Sequence, residues 1–295
     1  MENGRLVSEQ TEGFACIYWL YATRIGKMIR PLINRRFVNK LYSWYQNTRL
    51  SRHKIDPFIA KYHINTEDYE QPKNGYRSFN DFFIRKLKPG GRTINHDPKI
   101  LVSPADSKLF AIPSVSETFQ GVRPTLTFFV KELPFTLETF LHDKDLANNY
   151  TNGTLLIFRL APYDYHRFHF PTNGIPEAPV IIAGRFDSVN PLVYKVGCQP
   201  LLSNERHIIK LHTQAFGTIL MIPVGALMVG KIVETYKAGQ PVAKGDEAGY
   251  FAFGGSTVVL LFEKNIIQPK EDFIKNSAHG FETVVKMGEA LGGKL

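Results

Sequence analysis

Ala252-Phe253-Gly254-Gly255-Ser256-Thr257-Val258-Val259-Leu260-Leu261-Phe262 is a glycine turn that runs straight into an apolar, β-branched strand. Two glycines permit backbone angles that other residues resist, and they let another group approach the peptide closely. The Ser256 hydroxyl has the preceding carbonyl within reach. Taken alone, Gly-Gly-Ser-Thr is an ordinary strand entry. Its weight comes from the surrounding chain.

Around this stretch, from Pro98 onward, short apolar runs alternate with Gly, Pro and Asn turns, the texture of a β-rich domain. Strands are predicted at 100–102, 108–112, 155–160, 181–187, 193–195, 207–213, 218–224, 228–234, 247–253 and 257–263. The run from Val229 through Tyr250 has the hairpin cadence of a small barrel-sandwich module. Residues 135–141 read as a short helix, and 274–290 as a terminal helix interrupted at Gly280. Upstream, 14–30 reads as a helix ending before Pro31, and 32–50 as a second amphipathic stretch. Ser78 is placed to cap a helix in which Phe79, Phe82, Phe83 and Leu87 share one face. Together these predict an α+β fold: a β-rich core of mainly antiparallel sheets with barrel-sandwich-like hairpins, preceded by amphipathic N-terminal helices.

The 295 residues carry a net charge of +9, unevenly placed. Between Phe14 and Ile55 there is no Asp or Glu, while Arg24, Lys27, Arg30, Lys40, Arg49 and Lys54 are interleaved with Trp19, Trp44 and many aliphatic side chains. That mixture describes an interfacial helix on an anionic membrane. A nucleic-acid surface, or core helices with a solvated basic face, would have the same composition. No nucleic-acid motif accompanies the charge, so no nucleic-acid partner is expected. Two cysteines give neither a disulfide framework nor a zinc cluster. No apolar run is long enough to span a bilayer. Residues 1–13 are polar and do not resemble a cleaved signal peptide.

Three further stretches bear on chemistry. Ser103-Pro104-Ala105-Asp106 offers a carboxylate, read by itself as a turn residue. Asp164-Tyr165-His166-Arg167-Phe168-His169 offers two histidines three apart, which a helical turn would place on one face and a regular strand on opposite faces. The pair lacks further ligands at familiar spacing, so no metal is expected. Lys244-Gly245-Asp246-Glu247 leads on to the glycine turn.

In this order the pieces resemble the phosphatidylserine decarboxylases, self-processing, pyruvoyl-dependent enzymes of phospholipid synthesis. The resemblance runs from about Phe79, through Phe79-Asn80-Asp81-Phe82-Phe83, Leu87-Lys88-Pro89-Gly90 and Asn204-Glu205-Arg206, to Gly254-Gly255-Ser256-Thr257. Many members have Leu where this chain has Gly254, and Gly where it has Ser107. The resemblance implies that the Ser256 hydroxyl attacks the Gly255 carbonyl and cuts the Gly255–Ser256 bond. The ester then eliminates, and the dehydroalanine left behind hydrolyses to a pyruvoyl group and ammonia. The products are a β chain, 1–255, and an α chain, 256–295, which stay together. The implied triad is Asp106, His169 and Ser256, with Asp106 orienting His169 as the base. The pyruvoyl cofactor forms a Schiff base with the serine amine of the lipid and accepts the electrons released with carbon dioxide. His166 is the candidate for returning a proton or handling the substrate carboxylate.

The expected organisation is a membrane-associating segment, 1–55, followed by a decarboxylase domain, 56–295. The expected partners are phosphatidylserine and an anionic membrane surface, with a homodimer left open. The expected place is peripheral, on the cytoplasmic face of the cell membrane. Two rivals share parts of this reading. A pyruvoyl enzyme for a soluble amino acid would not need the basic, aromatic N-terminal segment. A non-catalytic barrel-sandwich binding module would leave Asp106, His169 and Ser256 without a joint role.

Overall fold

The computed structural model describes residues 14–34, 36–115, 118–120, 134–227, 231–254 and 256–295. Gly255, the Val229-Gly230 pair and residues 1–13 lie outside the described residues. The centre of the fold is an antiparallel sheet of eight strands, ordered Thr283–Val285, Ser107–Ile112, Thr154–Leu160, Ser256–Phe262, Thr218–Val224, Arg206–His212 and Ile175–Pro176, with Val180–Ile182 also paired to Arg206–His212. Every residue of Ser256–Phe262 is buried. Val258, Leu260 and Phe262 enter one core cluster with Phe158 and Met221, while Val259 and Leu261 enter another with Ile157 and Ile222. Side chains alternate along a strand, so a sheet covered on both faces needs an unbroken apolar run, which Val258–Phe262 supplies. Burying each such side chain contributes about 1.5–3 kcal/mol.

A second sheet of three strands, Ile232–Glu234, Glu247–Phe251 and Arg167–His169, carries the histidine stretch beside the approach to the glycine turn. The expected hairpin is there, in an open sheet. A third sheet joins Ile100–Val102, Ala290–Lys294 and Ile267–Pro269.

The helices come first, as expected, with different boundaries. α1 (Phe14–Ala22) and α2 (Arg24–Ile33) are separate, because Thr23 caps α2 by accepting from the Gly26 N–H at 3.0 Å. Pro31 lies inside α2 rather than ending it. α3 (Arg36–Gln46) and α4 (Ile55–Tyr62) follow, then α5 (Phe79–Phe83), capped by Ser78. α5 is short because Arg85 is drawn inward to the Tyr163 and Asp164 carbonyls, both at 3.1 Å.

Two expected elements are replaced. Residues 193–195 belong to a helix, Pro191–Lys195, which Asn190 caps and Pro191 opens. The terminal helix covers only Glu271–Ala278. Gly280, at φ +79°, turns the chain, and Thr283–Val285 continues as an edge strand.

Candidate active site

Ser256 opens its strand opposite Leu160, so the glycine turn lies where the central sheet meets the histidine loop. Gly254 has φ +138°, a conformation that a side chain resists. Just before it, the Phe253 N–H donates to Asn80 Oδ1 at 2.9 Å, tying the turn to α5. Ser256 is fully buried, and among the described residues its Oγ has no hydrogen-bond partner.

His166 is also fully buried and packs against the Phe83 ring, with centroids 3.9 Å apart. Its Nδ1–H donates to the Asp164 carbonyl at 2.9 Å, which leaves Nε2 as a lone pair that no donor among the described residues reaches. Burial lowers its pKa from 6.5 to about 3; the backbone carbonyls of Asp164 and Gly254 oppose that shift. The imidazole is therefore neutral at ordinary pH and lies against the glycine turn.

His169 is held at both nitrogens. Nδ1–H donates to the Gly245 carbonyl at 2.9 Å, and Nε2 accepts from the Tyr165 hydroxyl at 3.0 Å. Burial lowers its pKa, against the raising effects of the Gly245 carbonyl, Glu247 and Asp106. Asp106 is buried too. Arg92 donates to it from Nε at 3.0 Å and Nη2 at 2.5 Å, and the Met287 N–H adds a third bond at 2.9 Å. Burial would raise its pKa, but Arg92 and Lys286 outweigh burial and hold the carboxyl below its usual range.

The four expected residues thus gather around one end of the strand Thr154–Leu160. Its Arg159 faces Lys108 on one side and Thr257 on the other, so the strand that follows Asp106 and the strand that Ser256 opens run two strand spacings apart, about 10 Å between backbones. Among the described residues no hydrogen bond joins Asp106 to His169, or either histidine to Ser256. The Asp106 charge favours the His169 cation, less than the Gly245 carbonyl and Glu247 do.

Three site residues were missed as players by sequence reasoning. Arg92 stands in an irregular segment with no periodic signal. Tyr165 and Asn80 fall inside stretches read for their neighbours. A tyrosine beside paired histidines was the one available hint.

A cavity of about 620 Å³ borders the turn. Phe253, Gly254 and Leu160 line it from the core, and Ile17, Tyr42 and Lys54 from the N-terminal segment. That segment is therefore part of the site's wall. Its outer side is apolar as well: Ile25, Met28 and Leu32 on α2, and Phe37, Leu41 and Trp44 on α3, are all more than half exposed. Among the described residues no helix is long and apolar enough to cross a membrane.

Known proteins match this chain along its length. A sequence profile of the family described as phosphatidylserine decarboxylase matches residues 79–293. A phosphatidylserine decarboxylase proenzyme of Fusobacterium nucleatum is 40% identical over 294 residues, covering 99% of this chain and 96% of the relative. One from Chlamydia trachomatis is 41% identical over 295 residues, covering 100% and 96%. One from Clostridium novyi is 40% identical over 288 residues, covering 97% and 95%.

Proposed function

The chain belongs to the phosphatidylserine decarboxylase family, and we propose that it converts phosphatidylserine to phosphatidylethanolamine with a pyruvoyl group made from its own Ser256. The observation that carries this reading is the pair of buried atoms at the glycine turn, Ser256 Oγ and His166 Nε2, that find no hydrogen-bond partner among the described residues. A buried polar atom left unmade costs about 1–3 kcal/mol. Such a cost is usual where function needs the atom free. Ser256 also fits conversion to the pyruvoyl group, since consuming its hydroxyl breaks no hydrogen bond among the described residues.

In the processing step, Ser256 Oγ bonds to the Gly255 carbonyl carbon as the peptide C–N bond breaks, and the serine nitrogen leaves as an amine. We assign the proton transfer to His169. For that, the Tyr165 hydroxyl has to turn off Nε2. Asp106 favours the resulting cation through its charge, and Arg92 keeps Asp106 ionised. The fragment from Ser256 onward stays in place after cleavage, because its first strand is paired on both sides and wholly buried.

Once formed, the pyruvoyl group supplies an electrophilic carbonyl that takes up the substrate amine and accepts the electron pair left by carbon dioxide. His166 handles the proton. Its Nε2 is unprotonated before substrate binds. The carboxylate of the bound substrate brings negative charge that favours the imidazolium, so His166 takes the proton the lipid's ammonium loses and returns it to the carbon that carbon dioxide leaves. Phe83 and the surrounding core exclude water from this exchange.

The exposed apolar faces of α2 and α3, set among Arg24, Lys27 and Lys40, support docking on an anionic bilayer at its cytoplasmic face. The cavity opens between these helices and the core, where a lipid would enter. A pyruvoyl enzyme for a soluble amino acid has no use for that face. The test is denaturing intact-mass spectrometry together with carbon dioxide release from short-chain phosphatidylserine. Two masses that split at Ser256, with turnover, are expected. Two masses without turnover would remove the lipid assignment, and turnover by a single full-length chain would remove the pyruvoyl mechanism.

A further inference from the structure

The cavity beside Gly254 is lined by His53, Lys54, Lys61 and Arg159 and, among the described residues, by no Asp or Glu. Arg159 is engaged by Glu282, with Nε 2.9 Å from Oε1. Lys54 is placed differently. It is half-buried, and its ammonium donates to the Gln46 side-chain oxygen at 3.4 Å. The same nitrogen lies 4.5 Å from the centre of the Tyr45 ring and 5.7 Å from that of Tyr42. Among the described residues no carboxylate stands within ion-pair distance of it. A charge partly withdrawn from water, with aromatic faces but no anion beside it, is matched by an anionic ligand in the space it borders.

We propose that Lys54 binds the phosphodiester of the substrate headgroup, with Lys61 at the rim. The proposal rests on the lipid reading above. The spacing follows from Tyr42, whose ring packs 5.7 Å from the Phe253 ring and also carries Lys54. One aromatic ring therefore separates the ammonium from the turn that presents Ser256. The serine end of the headgroup reaches the turn and His166. The phosphate sits one short linker back, at Lys54. The acyl chains continue toward the exposed faces of α2 and α3. Lys54 thereby selects a serine phosphodiester over free serine.

The experiment compares the processed wild type with Lys54→Gln and Lys54→Arg. The substrates are short-chain phosphatidylserine and glycerophosphoserine, which keeps the phosphodiester without acyl chains. Free serine and inorganic phosphate serve as competitors. Lys54→Gln should raise KM for both phosphodiesters about tenfold, the loss of one charge-assisted hydrogen bond, with a smaller change in kcat. Lys54→Arg should restore most of it. Inorganic phosphate should compete with glycerophosphoserine in the wild type and lose that competition in Lys54→Gln. An unchanged KM in Lys54→Gln, or wild-type inhibition by serine as strong as by glycerophosphoserine, overturns the subsite alone. A processed wild type inert toward every serine phosphodiester overturns the lipid reading, and the subsite with it.

Discussion

Arg92 grips Asp106 edge-on, Nε to Oδ1 at 3.0 Å and Nη2 to Oδ2 at 2.5 Å, and this pair, rather than a link to His169, fixes the buried carboxylate. Both side chains are nearly out of water, at 8% and 3% exposure. Removing one partner of such a pair leaves an uncompensated charge. In a Ser256→Ala background, where the chain stays intact, Arg92→Leu should lower unfolding free energy by about 3–5 kcal/mol in urea. Because the Asp106 pKa is depressed, the pair's stability is present above about pH 4 and fades as pH falls through the lower folded value. Asp106→Asn should lack that acid loss; an unchanged acid limb would show that Asp106 is not its source.

The two histidines should separate by stage. His166→Gln should still be cut into two chains, with turnover down about 10²–10⁴-fold. His169→Gln should remain one chain for much longer. Ser256→Ala should never be cut. Mass spectrometry after timed incubation, followed by a carbon dioxide assay, reads both stages. If His169→Gln is processed normally and His166→Gln is not, the roles are reversed.

Burial also gives His166 a signature in stability. Its folded pKa of about 3 lies below the 6.5 of the exposed side chain, so only the unfolded chain gains a proton between those values. Stability therefore rises with pH through that window. This one residue should make Ser256→Ala protein about 2 kcal/mol less stable at pH 5 than at pH 7.5. Paired urea titrations should show that difference shrinking in the Ser256→Ala, His166→Gln double variant. An equal pH dependence in both proteins would place the titration elsewhere.

Membrane docking is best probed by point changes, because α1 and α3 also supply walls of the cavity. Phe37 and Trp44 are 74% and 66% exposed, so replacing them should not disturb the core. Phe37→Glu with Trp44→Glu should weaken sedimentation with phosphatidylserine-containing vesicles at least about tenfold, through lost apolar contact and added repulsion. Turnover of short-chain substrate should change far less. Unaltered sedimentation would mean that another surface meets the bilayer.

Much of the core was legible because its signals are local. Val258–Phe262 is apolar at every position, which only a strand buried on both faces explains. Ser78 is a cap whose partner is three residues away. Where local signals competed, the reading failed. Residues 193–195 look like a strand until Asn190-Pro191 is weighed as a helix start. The segment 283–285 is too short to declare a strand without Ser107–Ile112 beside it.

The sequence by itself determined which groups the chemistry has available: a serine after glycines, two histidines three apart, an aspartate, and a stretch from Phe14 to Ile55 without acids. Residue type and local spacing are chain properties, so they can be read in order. Only the tertiary structure decided the pairing. It put Arg92 on Asp106 and Tyr165 on His169, and left Ser256 Oγ and His166 Nε2 without a partner among the described residues. It also brought Lys54 and Tyr42 to the cavity that Gly254 borders. Those outcomes depend on which surfaces lose water together and which polar atoms find partners there. That competition is settled among residues up to about two hundred positions apart, and no local pattern records it.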